Sequence, residues 1–142
     1  MRLKISEIQE ADKTDLRTLY LEVRKKHFTW ENINSFTLSS FDLDTTGELI
    51  LVAKINKKIV GFISSWLPDN FIHHLYIDSD HQGKGIGSQV LNEMIQKLQS
   101  PIILKCVKTN KSAIRFYLKN GWHPKKEKSL EEKDYILFEY VK

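Results

Sequence analysis

The stretch HQGKGIGSQVL, residues 81–91, constrains the fold more than any other part of the chain. It follows a run of strand character, FIHHLYID, and opens a segment in which Ile86, Val90, Leu91, Met94, Ile95 and Leu98 recur at helical spacing. The pattern predicts a strand, a glycine turn and a helix from about residue 85 to residue 99. The first backbone N–H groups of such a helix have no partner within it, and the helix dipole adds to their pull on an anion. Glycine at 85 and 87 removes Cβ atoms that would hold that anion away.

The remaining pattern fits a mixed sheet with helices packed on it, an α/β (α+β) architecture. Residues 2–6 read as a short strand, and Asp12 or Thr14 as the cap of a helix whose apolar stripe is Leu16, Leu19, Tyr20 and Val23. Residues 27–46 read as a short helix within irregular chain. ELILVAKI and KIVGFISSWL are two strands joined by Asn56-Lys57, a hairpin signal. PIILKC begins an apolar strand expected to be parallel and buried. NKSAIRFYLKNG is a helix ending at Gly121, with Ala113, Phe116, Tyr117 and Leu118 as its inner set. A Lys-rich, poorly patterned segment precedes a last strand, YILFEYV, so that one or two strands end the chain. At 142 residues, with no repeat or linker, residues 1–142 form one expected domain.

Composition narrows the class. Hydrophobic residues make up 41% and charged residues 28%, as in ordinary globular chains. No apolar run approaches the ~20 residues of a membrane span, and the N-terminus lacks a signal-peptide core. The one cysteine, Cys106, has no partner for a disulfide and no CxxC spacing for a metal, so we expect a buried thiol, a cytoplasmic setting and no metal. Residues 1–48 hold seven Lys and Arg against nine Asp and Glu, whereas residues 49–142 hold fifteen against nine. Within 84–119 stand Lys84, Lys97, Lys105, Lys108, Lys111, Arg115 and Lys119 against Glu93 alone, a field that favours a polyanion near the glycine turn. Aromatic residues are not interleaved with this basic run, which argues against nucleic acid as the partner.

Three glycine-loop patterns compete. No GxxxxGK[ST] string exists, so a Walker A loop is excluded. A GxGxxG dinucleotide fingerprint starting at Gly83 needs a third glycine where Ser88 stands, and the next strand offers Lys105 rather than an acid. The pattern [QR]-x-x-G-x-[GA] is met by Gln82, Gly85 and Gly87. A second string, NKSAIRFYLKNGW, carries Asn110, Ala113, Phe116, Tyr117, Gly121 and Trp122 in the spacing N-x-x-A-x-x-F-Y-x-x-x-G-[FW]. On these two motifs and the element order, the chain resembles the GNAT N-acetyltransferases, over roughly residues 48–123, with residues 1–47 matching in layout only.

The resemblance implies a central twisted mixed sheet flanked by helices and acetyl-coenzyme A as co-substrate. It implies that the strand before the glycine turn splays from its neighbour, so that Leu75, Tyr76 and Ile77 pair with pantetheine amides. The turn Gln82, Gly83, Lys84, Gly85, Ile86, Gly87 and Ser88 would hold the pyrophosphate. Asn110 would reach the cofactor, although capping the following helix is its other reading, and Tyr117 would lie beside the sulfur, although packing is its other reading. Family members often dimerise, so a homodimer is among the expected partners.

The implied chemistry sets further requirements. An alkyl amine of pKa ~10 is only about 0.1% neutral at pH 7, so the site must desolvate or deprotonate it. The departing thiolate benefits from a proton donor, and the Tyr117 phenol can serve. No residue needs to be acylated, so direct attack in a ternary complex is the expected route to acetylation of a primary amine on a small molecule or peptide. His73 and His74 would point to opposite faces of a regular strand, and periodicity alone does not say which meets the acceptor. The resemblance selects His73 as base, because the family often places its base a short even number of residues before the pantetheine-binding triplet. A bulge would exchange the two. Trp30, Phe36, Phe41, Trp66 and Phe71 are candidate walls of the acceptor pocket, and the acidic balance of residues 1–48 favours a cationic acceptor. A non-catalytic acyl-coenzyme A sensor is the alternative, against which Tyr117 and the histidines argue.

Overall fold

The computed structural model describes residues 2–27, 37–129 and 134–142. Its centre is a seven-stranded mixed sheet in the order β1-β2-β3-β4-β5-β7-β6. The strands are β1 (Leu3–Glu7), β2 (Leu49–Ile55), β3 (Lys58–Trp66), β4 (Phe71–Ile77), β5 (Ile102–Val107), β6 (His123–Ser129) and β7 (Asp134–Tyr140). The helices are α1 (Lys13–His27), the short α2 (Ser40–Asp44), α3 (Ile86–Lys97) and α4 (Lys111–Lys119).

Strand alternation explains why the sheet is covered on both faces. In β2, Ile50 and Val52 face one side while Leu51, Ala53 and Ile55 face the other, and all five are buried. The first side receives Leu16, Leu19, Tyr20 and Val23 of α1, the stripe read from the sequence. The second receives Ile86, Val90, Leu91, Met94 and Ile95 of α3 and the inner residues of α4. Fully burying one such aliphatic side chain contributes about 1.5–3 kcal/mol, so these two stripes hold the helices against the sheet.

Local signals set the boundaries. Helix α1 is entered through a 3-10 turn, Glu10–Asp12, in which Asp12 accepts the Gln9 N–H at 2.9 Å and pairs with Lys54 of β2 at 2.7 Å. Asn56 and Lys57 both take left-handed φ, 52° and 68°, as a two-residue hairpin between β2 and β3 requires. Gly85 is left-handed at φ 80° and α3 starts at Ile86, so the helix is shorter at both ends than the sequence pattern suggests. Helix α4 likewise stops at Lys119, Asn120 caps it, and Gly121 turns the chain at φ 86°.

Three expectations need correction. β5 is parallel to β4 only at Phe71↔Ile103 and runs antiparallel to β7 along its whole length. Leu118 is exposed rather than part of the inner face of α4. The Lys-rich segment HPKKEKS is an edge strand, β6, carrying Pro124 at a register shift. Lysines, a proline and a bulge (here at Lys125, next to Pro124) are what a protected sheet edge uses, and they erase the period-2 signal by which a strand is recognised.

Gly61 in β3 packs directly against Tyr76 and Ile77 of β4. A Cβ there would stand 2.6 Å from Ile77 Cδ1 and 2.7 Å from the Tyr76 carbonyl oxygen. We expect Gly61→Ala to destabilise the protein by about 1–3 kcal/mol, the usual range for overpacking, read as a lower urea midpoint at unchanged m. An unchanged midpoint would show that β4 yields without cost.

Candidate functional site

Beyond Phe71 the edge of β4 that faces β5 has no strand partner, because the two strands share a single residue pair. A pocket of about 570 Å³ opens there. Leu75, Tyr76 and Ile77 line one wall; His81, Gln82, Gly83, Gly85, Gly87 and Ser88 form the turn; Asn110, Ala113, Phe116, Tyr117 and Lys119 supply the α4 side. Val23 of α1 closes it, a contribution that sequence reasoning missed because Val23 reads as core. Two of the predicted turn residues lie off this lining: Lys84 is exposed, and Ile86 is buried in the core.

The glycines serve different ends. Gly83 and Gly85 have φ of 78° and 80°, and a Cβ on either would meet nothing within 4 Å. They are needed for the left-handed backbone that turns the first N–H groups of α3 toward the pocket. Gly87 is needed for packing as well: a Cβ there would lie 3.3 Å from the Phe116 ring of α4. The Gln82 side chain donates to the Ile77 carbonyl at 2.9 Å and ties the turn to the end of β4. Asn110 lines the pocket and caps α4, accepting the Ala113 N–H at 3.2 Å, so its capping reading holds. Of the basic run 84–119, Lys119 lines the pocket together with His81, while Lys105 lies on the far face of the sheet.

Tyr117 is wedged against Phe116, Trp122 and Phe138 with ring centroids 5.2, 5.9 and 5.8 Å away. Burial, reinforced by Cys106 and Tyr76, raises its phenol well above the ordinary tyrosine value. Cys106 is buried as expected, and burial pushes its thiol up to about 11.

The two histidines depart from the regular strand. Ser64 pairs with His74 and Ser65 with Ile72, which leaves His73 as the extra residue of a β-bulge. The bulge puts both histidines on the α1 side, with ring centroids 3.8 Å apart, instead of on opposite faces. Ile72, Leu75 and Ile77 face α3, while Tyr76 joins His74 on the α1 side. Glu48, just before β2, reaches both: its Oε2 lies 2.8 Å from His73 Nδ1 and its Oε1 lies 3.7 Å from His74 Nδ1.

The hydrogen-bond directions then follow from donors and acceptors. The Tyr20 hydroxyl donates to Asp44 at 2.5 Å and accepts from Arg24 at 3.0 Å. Its remaining lone pair, 3.3 Å from His74 Nε2, fixes that nitrogen as the N–H. His74 Nδ1 is then an acceptor, taken by the Ser64 hydroxyl at 2.9 Å. Burial lowers the His74 pKa, so the ring stays neutral with both nitrogens engaged. His73 is half exposed; its Nδ1 donates to the Glu48 carboxylate, and its Nε2 keeps a lone pair. Glu48, His73 and His74 also place their ligand atoms within 4.8 Å of one another, a set with the chemistry to take a divalent ion. Glu48, Asp44 and Ser64 were not singled out in the sequence, and Tyr20 only as part of the apolar stripe of α1; an acid directly before an apolar strand was the only signal available for Glu48.

The predicted acceptor walls fare unequally. Phe41 is core, packed edge-on to Tyr20 and Phe62. Trp66 is exposed and lies over Gly47, where a Cβ would come within 3.2 Å of its ring. Phe71 is half-buried with its ring 5.9 Å from that of His73. Trp30 and Phe36 lie outside the described residues.

Burial alone would raise the Glu48 carboxyl, but the hydrogen bond from His73 and its charge outweigh it and hold Glu48 down to about 2. A carboxyl depressed in the folded state stabilises it above the unfolded pKa, and that stability is lost as pH falls through the folded value. The advantage of the wild type over Glu48→Gln should therefore be present at neutral pH and vanish between pH 4.5 and about 2. Urea unfolding across that range checks this, and a pH-independent difference would contradict it.

Comparison with known proteins agrees with this geometry. The model of the acetyltransferase (GNAT) family matches residues 6–122. An L-2,4-diaminobutyric acid acetyltransferase of Halalkalibacterium halodurans is 30% identical over 80 residues, which is 48% of this chain and 42% of that protein. The match thus takes in less than half the length of that relative. Among solved structures, YjaB of Escherichia coli superposes with a TM-score of 0.79 at 17% identity, covering 99% of both chains. The PaiA N-acetyltransferase of Thermoplasma acidophilum, solved with coenzyme A, gives 0.75 at 21% identity, covering 99% of this chain and 100% of that one. With a strand edge freed for a ligand, a glycine turn at a helix start and a family model spanning most of its length, the chain belongs to the GNAT acetyltransferase family.

Proposed function

We propose that the protein transfers acetyl from acetyl-coenzyme A to a primary amine of a small molecule or peptide, by direct attack within a ternary complex. One observation carries the reading. β4 bears the pocket wall Leu75–Ile77 and, two residues earlier, a histidine whose Nδ1 is held on an ionised carboxylate.

In this reading the free edge of β4 pairs with the pantetheine amides. The turn from Gln82 to Ser88 receives the pyrophosphate, with His81 and Lys119 adding positive potential when charged, and Asn110 reaches the cofactor. Glu48 holds the His73 ring so that Nε2 faces the acceptor. That nitrogen takes a proton from the amine, whose lone pair attacks the thioester carbonyl. The C–S bond then breaks, the departing sulfur takes the Tyr117 proton, and the second proton shed by the nitrogen as the amide forms returns through water to the Tyr117 phenolate. Tyr117 holds its proton more tightly than a free phenol, yet the same burial raises a thiol, as Cys106 beside it shows. Donor and acceptor thus move together, and the transfer stays within reach of general-acid catalysis. His74, with both nitrogens engaged, positions the bulge and takes no proton. Trp66 and Phe71 would border the acceptor. The diaminobutyrate acetyltransferases among the relatives make a small amine the first acceptor class to test.

The test is an acetyl-coenzyme A assay over an amine library with mass detection of products. Tyr117→Phe should lower kcat at least ~10-fold with little change in coenzyme A affinity. His73→Gln should lower kcat/KM by ~10²-fold and remove the acidic limb of its pH profile, while His74→Gln should act mainly on stability. Coenzyme A binding without turnover on any amine would favour the sensor alternative. Removal of the limb by His74→Gln alone would reverse the histidine assignment.

A further inference from the structure

Helices α1 and α2 cover β2 to β4, and the cluster beneath them contains no residue of β5 or β7. On the same side, Ile103, Lys105 and Val107 of β5 alternate with the core residues Ile102, Leu104 and Cys106. Tyr135 and Leu137 of β7 likewise alternate with Ile136 and Phe138, which face the core on the other side. Among the described residues no helix covers the strip of sheet beside the α1–α2 wall, and His73 stands at its border.

Lys105 occupies the middle of this strip. Its ammonium lies 6.0 Å from the Phe71 ring centroid and 5.1 Å from that of Tyr135, within reach of both ring faces. It pairs with no carboxylate among the described residues, whereas Lys125, on the neighbouring edge strand, is taken by Glu139 at 2.8 Å. Two aromatic contacts restrict a side chain that otherwise loses much rotamer freedom on binding. They leave the charge itself unneutralised. The Phe71 ring is also 5.9 Å from the His73 ring, so Lys105 and His73 border one aromatic floor and are at most about 12 Å apart. With a hydrogen bond of about 3 Å at each end, the space between them is at most on the order of 6 Å. That is the length of one amino acid.

We propose that Lys105 is the carboxylate-binding residue of the acceptor site, and that the acceptor is an amino acid with a free carboxylate rather than a polyamine or a peptide N-terminus. The proposal deepens the acetyl-transfer reading and rests on it. The amine lies at His73 Nε2 with Glu48 behind, the carbon chain lies over Phe71, and the carboxylate accepts from Lys105. The negative end of the site, Glu48, and its positive end, Lys105, match the dipole of such a zwitterion. A diamine would leave Lys105 facing a second ammonium, a like-charge contact that works against it.

The experiment compares amino acids with their decarboxylated twins as acceptors: 2,4-diaminobutyrate with 1,3-diaminopropane, ornithine with putrescine, lysine with cadaverine. The wild type should favour the amino acid in at least one pair by about ten-fold or more in kcat/KM, the size of one charge-assisted hydrogen bond. Lys105→Met should collapse that preference through KM with kcat little changed, and Lys105→Arg should restore most of it. A wild type that prefers the diamines, or a preference that survives in folded Lys105→Met, overturns the proposal. If no amine is acetylated, the acetyl-transfer reading fails by itself. Calorimetry of the same pairs on coenzyme A-loaded protein then decides the role of Lys105. Amino-acid binding that Lys105→Met weakens supports it, and binding that is absent or indifferent to residue 105 overturns it.

Discussion

The parting of β4 from β5 after one residue pair is the constraint on which the rest of the structure depends. A buried sheet pairs nearly all its backbone N–H and C=O groups, and leaving a row of them without partners costs free energy unless water or a ligand takes them. Here the loss falls where the 570 Å³ pocket opens, so the unpaired edge lies on a cavity with the shape to admit a ligand that could take its backbone groups. The neighbouring parts are consistent with that use. Gln82 anchors the turn to the last carbonyl of β4, Gly85 supplies the left-handed residue, and the start of α3 brings its N–H groups to the same opening.

The bulge at His73 is the second device, and it acts through polar groups that must be satisfied in a buried setting. Tyr20, Asp44, Arg24, Ser64 and His74 form a connected hydrogen-bonded set, and the set fixes the tautomer of His74. A network of this kind in low dielectric rigidifies what it touches. Its consequence is a division of labour between adjacent residues of the same type. One histidine is locked, neutral and structural; the other is half exposed, backed by a carboxylate and open at Nε2.

Charge is distributed between the two faces of the sheet. On the α3–α4 face the pocket gathers helix N–H groups, His81 and Lys119, suited to phosphates. On the α1 face the buried carboxylate of Glu48 and the exposed ammonium of Lys105 sit at either side of an aromatic floor. The gap between β4 and β5 joins the two, so a ligand from each side can meet where the strands part.

The sequence by itself determined the element order, both helix stripes, the hairpin at Asn56-Lys57, the glycine turn and the α4 motif. These rest on local backbone chemistry and on periodicities of 2 and 3.6, which neighbouring residues fix among themselves. It also pointed to Leu75–Ile77, Asn110 and Tyr117, all of which line one pocket. Tertiary structure alone decided what depends on partners distant in the chain. An extra residue in β4 relative to β3 cannot be read from β4, so the strand rule set His73 and His74 on opposite faces where the bulge sets them on one. Glu48 gained its role from a strand 25 residues away. Phe41 and Trp66 carried the same aromatic signal, yet one is core and the other surface, because burial is a property of what packs against a residue and not of the residue itself.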